Sequence, residues 1–325
     1  MSDPESTGSL ALSRFAVALA APDLSPWRAG NVGLAGVISH AALAPGPHVA
    51  IFAVTHGNEL AGAIVLARLL QAGMRPRRGR LSLVFHNLDA FERFDPAHPT
   101  ASRYCDEDLN RVWDIAVLDG PRRSNELTRA RDLRPLVDSV DVLLDLHSML
   151  WPSDPLTLCG QTARGRDLAL AIGAPGLVVA DHGHAGGRRL IDYGRFADPT
   201  GTATAILLEA GQHWAPATVE VTIAVVSGLL HRLGVIGSCA ALPPPPSRPC
   251  RFAEVTEAIT ARGDFSFLQA FRGGDVVARR NTLIAMDGAR EVRTQYDRCL
   301  LVMPSLRPSR GHTAVRLARF ADVAQ

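Results

Sequence analysis

Apolar and polar positions fall along the chain in blocks that predict strand, helix and strand from the start. Residues 36–43 and 48–54 have the length of strands. The second is apolar at nearly every position, as a strand buried on both faces must be. From Glu59 the spacing turns helical: Leu60, Ile64, Leu66, Leu69 and Leu70 form one wide stripe, and Gly73 is the stop. Residues 81–85 predict another buried strand. Residues 87–123 then lose periodicity, with Pro96, Pro99 and many charges. A long polar loop in a compact domain is where function collects. A helix is expected over 125–140 behind an Asn or Ser cap, kinked or broken at Pro135. It leads to a strand over 142–146. Strands over 156–159, 177–180 and 203–208 and helices over 164–172 and 217–233 continue the alternation. The prediction is an α/β fold, a mostly parallel mixed sheet with helices on both faces. Residues 1–30 suggest only a short helix over 10–21, ended near Pro22 and Pro26.

The pattern breaks at Leu242-Pro-Pro-Pro-Pro-Ser-Arg-Pro249, which predicts a stiff linker over 242–249. Beyond it, short apolar runs at 276–277, 283–285 and 299–303 are bracketed by Gly273-Gly274 and Asp287-Gly288. That predicts a small all-β domain over 250–325, behind an α/β domain over 1–241.

Composition narrows the function. The chain has 325 residues, 47% of them hydrophobic, enough for one large core and a smaller one. A net charge of +2 with scattered arginines argues against a nucleic-acid partner. There is no lysine, which removes Schiff-base chemistry. The five cysteines are odd in number, widely spaced and without a C-x-x-C pair, so they read as reduced thiols, neither a disulfide framework nor a cysteine-zinc site. The first residues are polar and acidic where a signal peptide needs basic ones. No apolar run approaches the roughly 20 residues of a membrane helix. The expectation is a soluble cytoplasmic protein with no membrane partner, its homo-oligomeric state left open.

Chemistry gathers at three points. Thr55-His56-Gly57-Asn58-Glu59 follows the strand at 48–54, and Asp145-Leu-His147-Ser148 and Leu208-Glu209-Ala-Gly211 end similar apolar runs. In open α/β sheets ligands bind beyond the carboxyl ends of the strands. His56, His147 and Glu209 should therefore open onto one edge. Two imidazoles and a carboxylate suit zinc and leave a coordination position for water.

Taken with Arg103-Tyr104 and Asp108-Leu-Asn110-Arg111, these motifs resemble the succinylglutamate desuccinylase and aspartoacylase family, relatives of the zinc carboxypeptidases. The resemblance spans about residues 48 to 235, and the β-rich tail is similar to that family's C-terminal domain. It implies that His56, Glu59 and His147 hold one zinc ion per chain and that Glu209 is the general base for the metal-bound water. It further implies that Arg103 polarises the carbonyl and stabilises the oxyanion, and that Asn110 and Arg111 grip a substrate carboxylate. Asp145 would orient a ligand imidazole from behind. One of Arg188, Arg189 and Arg195 would supply a further substrate contact. The chain departs from the family at His86-Asn87-Leu88-Asp89, where Gly-Asn-Pro is common, and in the apolar Ser148-Met-Leu-Trp151.

The function so implied is a zinc-dependent hydrolase that cleaves the amide of an N-acyl amino acid or similar small carboxylate. A metallocarboxypeptidase acting on peptides and a catalytically silent zinc- or ligand-binding protein are the alternatives. A C-terminal segment lying over the strand ends would favour the deacylase. Bland readings compete at single residues: Glu209 as a helix cap, Arg111 in an ion pair with Asp106 or Asp108, Met149 and Trp151 as loop packing, and His182-Gly-His184 as a flexible loop. Ser148 has no second histidine at a telling spacing, which argues against a serine triad.

Overall fold

The computed structural model describes residues 16–237, 242–243 and 249–322. Strands β1 (Val37–Ala41) and β2 (His48–Ala53) lead to helix α1 (Leu60–Gln71) and strand β3 (Arg80–Phe85). Two short helices, α2 (Leu88–Phe91) and α3 (Ile115–Leu118), punctuate the polar region before α4 (Asn125–Ser139) and β4 (Val142–Met149). Strand β5 (Leu156–Leu158), helix α5 (Ala163–Ile172), strand β6 (Leu177–Ala180), helix α6 (Gly194–Ala197), strand β7 (Thr204–Gln212) and helix α7 (Ala217–Arg232) follow. The C-terminal segment contributes β8 (Arg251–Thr260), β9 (Phe265–Phe267), β10 (Val276–Val277), β11 (Leu283–Asp287), β12 (Arg290–Arg293), β13 (Cys299–Val302) and β14 (Thr313–Ala321).

Among the described residues the main sheet has eleven strands in the order β1-β3-β2-β4-β7-β5-β6-β8-β14-β13-β10. Pairings from β3 to β7 are parallel, whereas β5 runs antiparallel to β7. The chain leaves β2 toward β3 on one side and returns to β4 on the other. That reversal opens a crevice between the carboxyl ends of β2 and β4, where ligands of such sheets bind.

The apolar run of β2 divides by parity between two cores. Val49, Ile51 and Ala53 face the core under α1, α5 and α7, while Ala50 and Phe52 face the core under α4. All five are fully buried. Helices thus cover both faces, as the alternation predicts. A third core, with Phe267, Phe271, Ile284 and Leu317, belongs to the C-terminal segment.

Several expectations need correction. Residues 16–21, the described part of the first expected helix, are not helical, and the rest of that expectation lies outside the described residues, as does most of the expected linker. Helix α4 runs through Pro135 without a break. Its cap is Ser124, whose Oγ accepts from the amide of Leu127 at 2.9 Å. The longest C-terminal strands, β8 and β14, escape the run-of-apolar reading because polar residues interrupt them: Glu254, Thr256 and Glu257 in β8, Arg316 and Arg319 in β14. Strand β8 pairs in parallel with β6, so the main sheet continues into the C-terminal segment.

Candidate metal centre

The chain turns from β2 into the His56 stretch through Val54, which holds φ at +52°, a left-handed conformation a β-branched residue rarely adopts. Gly57 follows because a Cβ there would lie 2.4 to 2.5 Å from backbone atoms of Ala90, Phe91 and Ser102. Gly62 lets α1 approach the sheet, its missing Cβ leaving room for those of Ala53 and Leu146. These approaches set His56 and Glu59 against the end of β4.

His147 and Glu209 lie inside strands, not after them. They are register partners on the parallel ladder of β4 and β7, so both side chains leave the same face. A polar residue ends an apolar run but not a backbone ladder, which explains the misplaced boundary. A helix-capping role for Glu209 is excluded by its position in β7.

Ligand atoms of His56, Glu59 and His147 all lie within 4.8 Å of one another, and all three residues are buried. Nδ1 of His56 is 2.6 Å from Oε1 of Glu59, and Nδ1 of His147 is 3.1 Å from Oε2. Each imidazole commits its other nitrogen elsewhere: Nε2 of His56 lies 3.0 Å from Asp108 and Nε2 of His147 lies 2.8 Å from Asp145. Asp145 in turn accepts from Thr55 Oγ1 at 2.8 Å. Carboxylates behind two imidazoles whose other nitrogens converge on a third carboxylate make a donor set able to hold a metal ion. Burial alone would raise the Glu59 carboxyl, but His56 and His147 hold it well below the usual range. Burial likewise opposes charge on His147, and Asp145 and Glu59 overcome it and push the imidazole well above its ordinary value.

Glu209 is the odd member. It is buried, its Oε2 has no hydrogen-bond partner, and burial pushes its carboxyl up to about 8. A carboxylate left in that state is costly unless something cationic sits beside it or it carries a proton.

The loop bearing Arg103 to Arg111 is tied down by Glu126 at the start of α4. This fully buried carboxylate accepts from the amides of Cys105 at 2.6 Å, Asp106 at 3.0 Å and Glu107 at 3.2 Å. Arg103 Nη2 donates to Asp108 Oδ2 at 3.0 Å and lies 2.9 Å from His56 Nε2, so its guanidinium borders the metal cluster. Asn110 Nδ2 lies 3.4 Å from His147 Nε2, and its Oδ1 accepts from the amide of Leu190 at 2.8 Å. Arg111 donates to the carbonyl of Asn110 at 2.6 Å and stays 3.9 Å from Asp108. Asp106 instead accepts from the amide of Asn125.

A sequence profile described as the succinylglutamate desuccinylase/aspartoacylase catalytic domain matches residues 45–212. The chain belongs to the succinylglutamate desuccinylase/aspartoacylase family. Aspartoacylase of Rattus norvegicus is 33% identical over 111 residues, covering 31% of this chain and 33% of the relative. The N-acyl-aromatic-L-amino acid amidohydrolase (carboxylate-forming) of Homo sapiens is 33% identical over 115 residues, covering 31% of this chain and 33% of the relative. The matched stretch thus spans about a third of these curated relatives. The succinylglutamate desuccinylase structure from Vibrio parahaemolyticus superposes with a TM-score of 0.66 at 17% identity, covering 89% of this chain and 87% of that one, a likeness of fold.

In this family member one cavity joins His56, Glu59, Arg103, Asn110, Arg111, His147 and Glu209. Met149, Leu150 and Trp151 line it too, so Met149 and Trp151 are more than packing at a distance from the site. Met303, Pro304 and Arg316 line it from the C-terminal segment.

The three unassigned arginines separate. Arg188 pairs with Asp114 and Arg195 donates to carbonyls at the C-terminal end of α4, at Asp138 and Val140. Arg189 lines the cavity but is held by Asp181 and Asp192. Of the two loop histidines, neither joins the metal cluster found among the described residues, while His184 lines the cavity with its Nδ1 accepting from Gly186.

Sequence reasoning misses Asp108 as a partner of His56, Glu126 as the loop anchor, and His213. The Ser148 hydroxyl lies 2.7 Å from Nδ1 of His213, a contact across 65 positions that no spacing rule reveals. The amide of Ser148 donates to Glu59 Oε2 at 3.0 Å. The one available signal for Glu126 was a lone acidic residue in the first turn of a helix beginning where a long loop ends.

Proposed function

We propose that this chain is a zinc-dependent hydrolase that cleaves the amide bond of an N-acyl amino acid or similar small carboxylate. The observation that carries this reading is the pairing of a convergent His56–Glu59–His147 cluster with a buried, unpartnered Glu209 on the neighbouring strand. Family membership supports it. His56, Glu59 and His147 would hold one zinc ion, with Asp108 and Asp145 orienting the two imidazoles. When bound, zinc supplies Lewis-acid activation of water near neutral pH.

Glu209 takes the proton of the attacking water and returns it to the departing nitrogen as the C–N bond breaks, releasing an acid and an amine. Its burial fits that role, because a weakened acid accepts a proton readily, and a neighbouring cation draws the carboxyl back toward a working range at neutral pH. Arg103 stabilises charge on the carbonyl oxygen, held in place by Asp108. Asn110 and Arg111 receive the substrate carboxylate. The apolar residues Met149, Leu150 and Trp151 support an apolar group on the substrate, in keeping with the human relative named for N-acyl-aromatic amino acids.

The peptidase reading needs an open groove, and the wall formed by Met303, Pro304 and Arg316 favours a small substrate. The presence of both Glu209 and Arg103 on the cavity weighs against a silent binding protein, which needs neither. The test is hydrolysis of N-acetylated and N-succinylated amino acids, aromatic and acidic, before and after treatment with a chelator and after zinc is restored. Activity that is lost and recovered supports the reading. Full activity in protein shown by metal analysis to hold no zinc would overturn it.

A further inference from the structure

Arg316 stands in the middle of β14, opposite Val302 of β13 and Ala258 of β8, so strands on both sides fix its backbone. It lines the cavity and its side chain is 9% exposed. A guanidinium so buried is stable only when hydrogen-bonded to an anion. None of the protein's described carboxylates does this. Asp181 is nearest, with Oδ2 at 3.8 Å from Arg316 Nε, beyond hydrogen-bond reach. Both oxygens of Asp181 are occupied by Arg189, at 2.8 and 2.7 Å, and Arg189 holds Asp192 as well.

Arg111 on the same cavity is in a similar position. Its hydrogen bond goes to the neutral carbonyl of Asn110, and Asp108 at 3.9 Å is already engaged by His56 and Arg103. Two guanidiniums therefore border the cavity with donors to spare: Asp108 and Asp181 are claimed by other partners, and Glu209, which attracts Arg316 across the cavity, forms no hydrogen bond with either.

We infer that Arg316 is a specificity-determining residue: together with Arg111 it receives the free carboxylate of the substrate, so that the C-terminal segment selects N-acylated amino acids over their uncharged amides. This rests on the reading of the site as a deacylase. It extends that reading to a residue outside the matched catalytic stretch of 45–212. The physical basis is that an uncharged amide leaves two largely buried guanidiniums without an anion, while a carboxylate offers two oxygens to two planar forks.

The test uses the full zinc-loaded chain as wild type, Arg316→Gln and Arg316→Lys. An N-acetyl amino acid that the wild type hydrolyses is compared with the corresponding N-acetyl amino acid amide. For Arg316→Gln, KM for the acid rises about 10- to 100-fold, the range set by losing a charged hydrogen bond, with kcat changed only a few-fold. The amide is unaffected, so the preference for acid over amide falls by the same factor. Arg316→Lys keeps the charge beside Asp181 and lies between. Unchanged KM for the acid, or equal losses on acid and amide, overturns the inference.

Calorimetric binding of the same acid and amide keeps it independent of turnover. If the wild type hydrolyses nothing yet binds the acid through Arg316, the deacylase reading fails and the carboxylate site stands. If the wild type binds no N-acetyl amino acid, the carboxylate site fails. Should Arg316→Gln not fold, the Lys variant decides by the same ratio.

Discussion

Replacing Glu209 with Gln should stabilise the metal-free protein at alkaline pH while removing its activity. The carboxyl moves from an ordinary value of 4.5 to about 8 because burial disfavours the charged form. Below pH 4.5 folded and unfolded chains both carry the proton, and the group costs nothing. As pH rises from there, the unfolded chain ionises while the folded one stays neutral, so stability falls until pH passes the folded value near 8. At about 1.4 kcal/mol per unit, the loss between pH 5 and pH 8 is at most about 4 kcal/mol, the attraction of His147 and Arg103 for the charged form being already contained in the raised value. Gln has nearly the same shape and does not titrate. The stability difference between Glu209→Gln and wild type should therefore grow by up to about 4 kcal/mol over that interval. Urea unfolding of chelator-treated protein, followed by the fluorescence of buried Trp113 and Trp214, measures it. A difference that does not change with pH would refute the electrostatic account of Glu209. In the zinc-loaded protein the same variant should lose roughly 10²- to 10⁴-fold in kcat, the usual scale for a general base, while still binding metal.

Other consequences follow from neighbouring groups. His56→Ala removes one of three metal donors, and metal analysis after dialysis should show zinc falling from one per chain to well below it. Glu126→Ala strands three amides of the Arg103 loop, costing about 3 kcal/mol; faster hydrogen exchange at Cys105 to Glu107 and a lower kcat/KM should accompany it. His213 is buried, and burial lowers its imidazole to about 4, so its contribution is whole above pH 6.5 and lost as pH falls through 4. About 3 kcal/mol of acid destabilisation is therefore expected to be absent from His213→Gln, as read from the pH dependence of urea midpoints.

Much of this arrangement was legible in the chain as written. The β2 run is apolar at consecutive positions because both faces of that strand meet a core, and such a run has few other meanings. The stripe of α1, the cap of α4 and the motifs that carry His56, Glu59, His147 and Glu209 are local, set by periods of two or 3.6 residues and by neighbours in sequence. Harder to read were β8 and β14, whose apolar positions are interrupted by charged residues such as Glu254 and Arg316, and the true ends of β4 and β7, which depend on ladder bonds that side-chain polarity does not report.

The sequence by itself determined the element types of the catalytic half and the identity of the metal-ligand candidates. Only the tertiary structure decided which far-apart groups meet: Asp108 behind His56, Glu126 under the Arg103 loop, His213 against Ser148, and Arg316 at the cavity wall. The reason is that a side chain's neighbours across a sheet follow from strand order and register, and these emerge from the packing of the whole chain. Arg189 and Arg316 make the contrast plain. They are the same residue type in similar burial, yet the first holds two carboxylates and the second, among the described residues, holds none at hydrogen-bond distance.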